Sequence, residues 1–234
     1  MSNNMQELII ARRFCGPPNS GNGGYSAGLL NNHIAGTSRV RLHLPPPLDK
    51  PLRVTKVNGE WLLQDGNQLV ASARPAPLNL VPPAPPSIDQ ARRAEKFYRG
   101  LSQHRFPSCF VCGPDRQKGD GLRLFCGSVE GREIVACGWQ PQADLLDKQN
   151  NLKHEFIWSA LDCPSYFALK SDKTCLLGEM SASVDKPVPG NQPLIIYAWQ
   201  RSIDGRKHYS ASAISSCDGE VLARAEHLWI EVQQ

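Results

Sequence analysis

Asp162 is the residue whose setting calls for a chemical explanation. It lies in Asn151-Asn-Leu-Lys-His-Glu-Phe-Ile-Trp-Ser-Ala-Leu-Asp-Cys-Pro-Ser-Tyr-Phe-Ala-Leu169, where Phe156, Ile157, Ala160, Leu161 and Phe167 recur at helical spacing. Trp158, Ser159, Ser165 and Tyr166 share its side of the predicted helix. A lone carboxylate among aromatics and hydroxyls is costly to desolvate unless it is paired or used. The use open to it is to take a proton from water or to attack an electrophile directly. The plainer alternative is a surface or capping Asp on a core helix. Pro164 cannot donate to the Ala160 carbonyl, so the helix is expected to kink or end there.

A second candidate is the glycine run Gly21-Asn-Gly-Gly-Tyr-Ser-Ala-Gly-Leu-Leu30 at a helix start. Unpaired amides there carry partial positive charge that suits an oxyanion or phosphate, and glycines let a ligand approach the backbone. The same residues also fit a loop capped by Asn22 or Ser20 with no ligand, and Asn22 either caps the helix or donates to a ligand. Between Leu8 and Leu48 there is no Asp or Glu, while Arg12, Arg13, Arg39 and Arg41 are present. An acidic catalyst therefore comes only from the second helix. The arginines suit either solvated strand edges or an anionic ligand.

These residues must be positioned by elements that the sequence outlines twice. Pro45-Pro-Pro47-Leu-Asp-Lys-Pro51-Leu52 and Pro187-Val-Pro189-Gly-Asn-Gln-Pro193-Leu194 share one spacing. The first stands between strand-like runs Val40 to Leu44 and Leu52 to Val57, the second between Met180 to Val184 and Leu194 to Trp199. Asp65-Gly66 and Asp218-Gly219 then turn into closing strands Leu69 to Ala73 and Val221 to Ala225. Three matches in one order indicate a duplication. Each half reads as strand, helix, then several antiparallel strands, with Glu7 to Phe14 the first strand. The architecture is α+β, with the two sheets continuing edge to edge. Between the halves, Arg74 to Pro86 is a stiff proline-rich connection. Ser87 and Gln90 then form a capping box that opens a helix-like run from Ile88 to Leu101.

Composition narrows the class. The chain has 234 residues, 41% hydrophobic and 21% charged, as in an ordinary globular protein with a substantial core. A net charge of +4, scattered along the chain, does not indicate nucleic-acid binding, and no run approaches a membrane span. The first residues lack the pattern of a signal peptide, so a cytoplasmic location with reduced thiols is expected. Cys109-x-x-Cys112 is half of a zinc ribbon, but a tetrahedral site needs two more ligands and no second Cys-x-x-Cys exists. Buried thiols with no metal and no cofactor are therefore expected. Cys163 reads as packing, with a nucleophile as the alternative.

The order of elements resembles the hotdog-fold thioesterases, and the duplication resembles the double-hotdog acyl-CoA thioesterases. Three places carry the resemblance: Gly23-Gly24, Ala160-Leu-Asp162, and Cys109-Phe-Val-Cys-Gly-Pro114 followed by Gly119-Asp-Gly-Leu-Arg-Leu-Phe125. It implies a tandem hotdog with repeats at 1–86 and 106–234 joined by a connecting segment at 87–105. It further implies hydrolysis of an acyl thioester such as acyl-CoA, with Asp162 as base or nucleophile. The amides of Gly24 and Tyr25 would polarise the carbonyl, and Asn22, Gly23 and Trp158 complete the candidate substrate contacts. Family enzymes support their Asp with a Ser or Thr and a Gln. Ser183 matches the hydroxyl position, but Glu226 stands where the Gln would be, and a second carboxylate near Asp162 would raise the pKa of one of the pair. A noncatalytic acyl-CoA-binding protein is the alternative reading, and a homodimer through edge strands is a further expectation of the resemblance.

Overall fold

A computed structural model describes residues 6–232 of the chain. The strands are β1 (Gln6–Ile9), β2 (Ser38–Leu42), β3 (Pro51–Val57), β4 (Glu60–Asp65), β5 (Gln68–Pro75) and β6 (Gly127–Ser128). They continue with β7 (Val135–Trp139), β8 (Cys175–Val184), β9 (Leu194–Asp204), β10 (Lys207–Ser216) and β11 (Val221–Glu231). The α-helices are α1 (Gly23–Asn31), α2 (Ile88–Ala94) and α3 (His154–Phe167). All the strands join one antiparallel sheet in the order β1-β3-β4-β5-β2-β8-β11-β10-β9-β7-β6.

Outward from its middle, the sheet runs β2-β5-β4-β3-β1 on one side and β8-β11-β10-β9-β7 on the other, with the two-residue β6 added at that end. In both directions the strand after the helix is innermost, and the strand before the helix lies beyond the three that follow it. The junction pairs Ser38 with Ala182, Arg39 with Ser181, Val40 with Met180 and Arg41 with Glu179. Each of these inner strands is thereby covered on the side that would otherwise be an open edge. The strands flanking both proline motifs form, and so do the Asp-Gly turns, where Gly66 and Gly219 take positive φ.

α1 and α3 pack against each other on one face of the sheet, and glycines set their approach. A Cβ on Gly28 would lie 2.6 Å from Glu155 Cα, and one on Gly24 would lie 2.6 Å from the Trp158 carbonyl oxygen. α3 continues past Pro164 to Phe167 instead of ending there. The turn it completes is tied in by Ala168 N–H, which donates to the Pro164 carbonyl at 3.1 Å, and by Ser212 Oγ, which donates to the Leu161 carbonyl at 2.7 Å. α2 has the expected capping box, yet it stops at Ala94 and short 3₁₀ turns follow over Glu95–Phe97 and Arg99–Leu101. The reason is burial. α2 seats Ala91 and Ala94 on β7 and β9, whereas Tyr98 leaves that surface to place its hydroxyl on the Cys112 carbonyl at 2.8 Å. The proline-rich connection runs over the outer sheet face, with Leu78 and Leu80 packed on Ala211.

Candidate active site

The helix pair brings Asp162 onto the start of α1. Asn22 caps α1 by accepting from the Tyr25 amide at 2.9 Å, and its own side-chain nitrogen donates to Asp162 Oδ2 at 3.0 Å. The Gly24 amide donates to the same oxygen at 2.8 Å. Asp162 is 2% exposed, and its Oδ1 has no hydrogen-bond partner among the described residues. Burial pushes the carboxyl up to about 7. The Gly24 bond pulls against that, Cys109 adds to the rise, and the Asn22 bond lowers it again. The result is a carboxylate anchored through one oxygen with its other oxygen uncommitted.

Asp162, Asn22 and Gly23 line a cavity of about 630 Å³. Its walls are largely apolar, with Leu42, Leu44, Phe106, Phe167, Leu177 and Ile230 among them. His43, His104, Arg105 and Tyr166 add polar groups, and Pro45 and Pro46 of the first proline motif bound one side.

Not every candidate residue meets here. The Gly24 and Tyr25 amides are taken by Asp162 and Asn22, so neither is left for a ligand carbonyl. Gly23, the first helical residue, keeps the amide of that turn which these two bonds do not engage. Tyr25 instead stacks on Phe14 at 4.2 Å, and Trp158 is buried between the helices, so neither side chain lines the cavity.

Ser183 lies five residues along β8 from the cavity-lining Gly178, roughly 16 Å at the rise of an extended strand. It accepts from Thr37 at 3.2 Å and donates to Asp185 at 2.6 Å. Glu226 alternates with buried Ala225 and His227 on β11, so it points to the outer face, where it pairs with Arg201. The expected coupling of Glu226 with Asp162 is corrected accordingly, because strand alternation sends the two carboxylates to opposite sides. Of the four arginines in the acid-free stretch, Arg12 pairs with Asp49, Arg13 with Asp120 and Asp144, and Arg39 with Glu179, while Arg41 is exposed.

Two groups take shape only in the fold. Asn31 is the ninth residue of α1, as Asp162 is the ninth of α3. It is buried, accepts from Ser38 Oγ and meets His154 Nδ1 at 3.3 Å. The far end of the helix pair thus holds a neutral amide whose two polar atoms both have partners. The other group is a set of three thiols, Cys109, Cys112 and Cys163, beside Asp162. Cys-x-x-Cys was visible in the sequence, but only the fold brings the α3 cysteine to it.

No protein-family model matches the chain, and no curated protein matches it in sequence. Solved structures do. The tesB protein of Mycobacterium avium subsp. paratuberculosis superposes with a TM-score of 0.63 at 11% identity, over 98% of this chain and 93% of that one. An acyl-CoA thioesterase II from Mycobacterium marinum gives 0.62 at 10% identity, over 99% and 94%. A protein of unknown function with a hot dog fold from Alicyclobacillus acidocaldarius gives 0.58 at 10% identity, over 100% and 95%. The likeness is one of fold: the chain shares the hotdog-type architecture of these structures along nearly its whole length.

Proposed function

We propose that the chain is a tandem hotdog hydrolase of acyl thioesters, acyl-CoA being the substrate class. Its repeats are 1–86 and 106–234, joined through 87–105, and they share one working site. The observation that carries this reading is the Asp162 carboxylate in the lining of an apolar cavity, held through Oδ2 on the α1 N-terminus, with no partner for Oδ1 among the described residues. The apolar walls suit an acyl chain, and the Arg105 and His43 side chains at the lining suit an anionic head group.

In this scheme Oδ1 takes a proton from water as the water oxygen adds to the thioester carbonyl, or adds to that carbonyl itself. The Gly23 amide and the partial positive charge of the α1 start stabilise the oxyanion. On the water path, collapse of the tetrahedral adduct breaks the carbon–sulfur bond, and the proton held by Asp162 passes to the departing thiolate. Direct attack breaks the carbon–sulfur bond, expels the thiolate and yields a mixed anhydride; water then opens it, its hydroxyl going to the acyl group and its proton to the thiolate, which restores the Asp162 carboxylate. In both, the bond from Gly24 fixes the carboxylate so that little reorganisation is needed.

The test is turnover of Asp162→Asn against a panel of acyl-CoAs. Asn keeps an oxygen to accept from Gly24, so the expected result is a folded protein that still binds ligand but turns over roughly 10²–10⁴-fold more slowly. Unchanged turnover would remove Asp162 from the mechanism. Binding by the unaltered protein with no turnover of any acyl-CoA would establish a noncatalytic binding protein instead.

A further inference from the structure

Three thiols from two separate parts of the chain converge in the cavity lining. Cys109 and Cys112 come from a tight loop and Cys163 from α3; all are buried, with their sulfurs within 4.8 Å of one another. The Cys109 and Cys163 sulfurs are 3.7 Å apart. Zinc bonds thiolates at about 2.3 Å in a tetrahedron, which sets sulfur–sulfur edges of about 3.8 Å. The loop is drawn tight by Gly113 N–H, which donates to the Cys109 carbonyl at 2.9 Å. A Cβ on Gly113 would lie 2.3 Å from the Pro107 carbonyl oxygen and 2.7 Å from the Cys109 nitrogen, so only glycine closes this turn.

Buried cysteines commonly serve as small apolar side chains, and such residues pack against many different neighbours. These three instead point at one another and border open space. A further lining residue, Asp162, carries a buried oxygen, Oδ1, without a hydrogen-bond partner among the described residues.

We propose that Cys109, Cys112 and Cys163 form a three-thiolate site for a thiophilic divalent cation of the zinc type, with its fourth position turned to the cavity. Three protein ligands with one open position is the pattern of a site that can accept water or a ligand atom. Binding replaces the thiol protons, up to three for each ion taken up. The site goes beyond the thioesterase reading and does not depend on it, because its readout is uptake of metal and not turnover.

The experiment uses the full chain, kept reduced, stripped with chelator and titrated with Zn²⁺ or Co²⁺. Expected are uptake of about one ion per chain, thiolate-to-cobalt charge-transfer absorption, and protection of Cys109, Cys112 and Cys163 from alkylation. Cys163→Ser should lose that uptake, while Cys217→Ser, altered at an exposed cysteine outside the cluster, should keep it. Equal uptake by Cys163→Ser and the unaltered protein would overturn the proposal. So would a folded, reduced protein that takes up no stoichiometric metal. Should the serine variant fail to fold, the alkylation pattern of the unaltered chain with and without metal decides the matter.

Discussion

Gly24→Ala is the sharpest probe of the helix contact. The added methyl would lie 2.5 Å from Asp162 Cβ and 2.6 Å from the Trp158 carbonyl oxygen, where comfortable contact begins near about 3.5 Å. α1 must therefore retreat from α3 by about 1 Å. The Gly24–Asp162 hydrogen bond, 2.8 Å at rest, then passes out of bonding range. Overpacking costs about 1–3 kcal/mol, and a lost bond to a charged group about 1.5–3 kcal/mol. The expected total is roughly 3–5 kcal/mol, a fall in Tm on the order of 10 °C for a chain of this length. A displacement of about 1 Å at the acid should also slow thioester turnover on the order of 100-fold. Thermal melting followed by circular dichroism and an acyl-CoA turnover assay read both effects. A variant that melts within about 2 °C of the parent and turns over equally well would refute the reasoning. It would mean that the helices are not held at this distance and that Asp162 does not need the Gly24 amide.

Two further outcomes separate the site from its surroundings. Glu226→Gln and Ser183→Ala should leave turnover within about twofold, since Glu226 pairs with Arg201 on the outer face and Ser183 bonds to Thr37 and Asp185; a loss beyond about tenfold in either would restore that residue to the site. His227 supplies a pH test of stability, because burial pushes its imidazole down to about 3, whereas an unfolded histidine takes its proton near about 6.5. Between those values the unfolded chain binds the extra proton, so this contribution to stability is full above about 6.5 and falls as pH drops through the window. The loss runs at about 1.4 kcal/mol per pH unit and totals about 5 kcal/mol. His227→Leu should flatten that part of the dependence in denaturant titrations, and parallel curves for variant and parent would show that His227 is not the source.

The fold was legible because the same weak signals occur in both halves of the chain. One proline motif or one Asp-Gly turn says little, whereas Pro45/Pro187 and Gly66/Gly219 in matching order locate the strands around them. Two further hairpins, turning at Asn58-Gly59 and Asp204-Gly205, were equally open to reading, and their glycines take positive φ. The site was less legible for two physical reasons. Which face a strand residue presents depends on register, so Glu226 could be matched by position yet point away from Asp162. Which amide a ligand meets depends on which amides the protein has already used, and Asp162 itself takes Gly24. Convergence across distance was beyond spacing rules altogether, as Cys163 meets Cys109 only because α3 crosses the loop.

The unlike ends of the helix pair have a consequence for how such a protein can change. In a symmetric dimer of one short chain, every residue occurs twice, so a harmful or wasteful copy cannot be altered alone. On one continuous chain the ninth positions of α1 and α3 are separate codons, and here they differ: Asn31 is closed in by Ser38 and His154, whereas Asp162 keeps an oxygen with no partner among the described residues. One end acts as a rivet, and the other is left open to change. The space next to it can take on a new group, such as a thiol cluster, without a mirror image having to accommodate the same change.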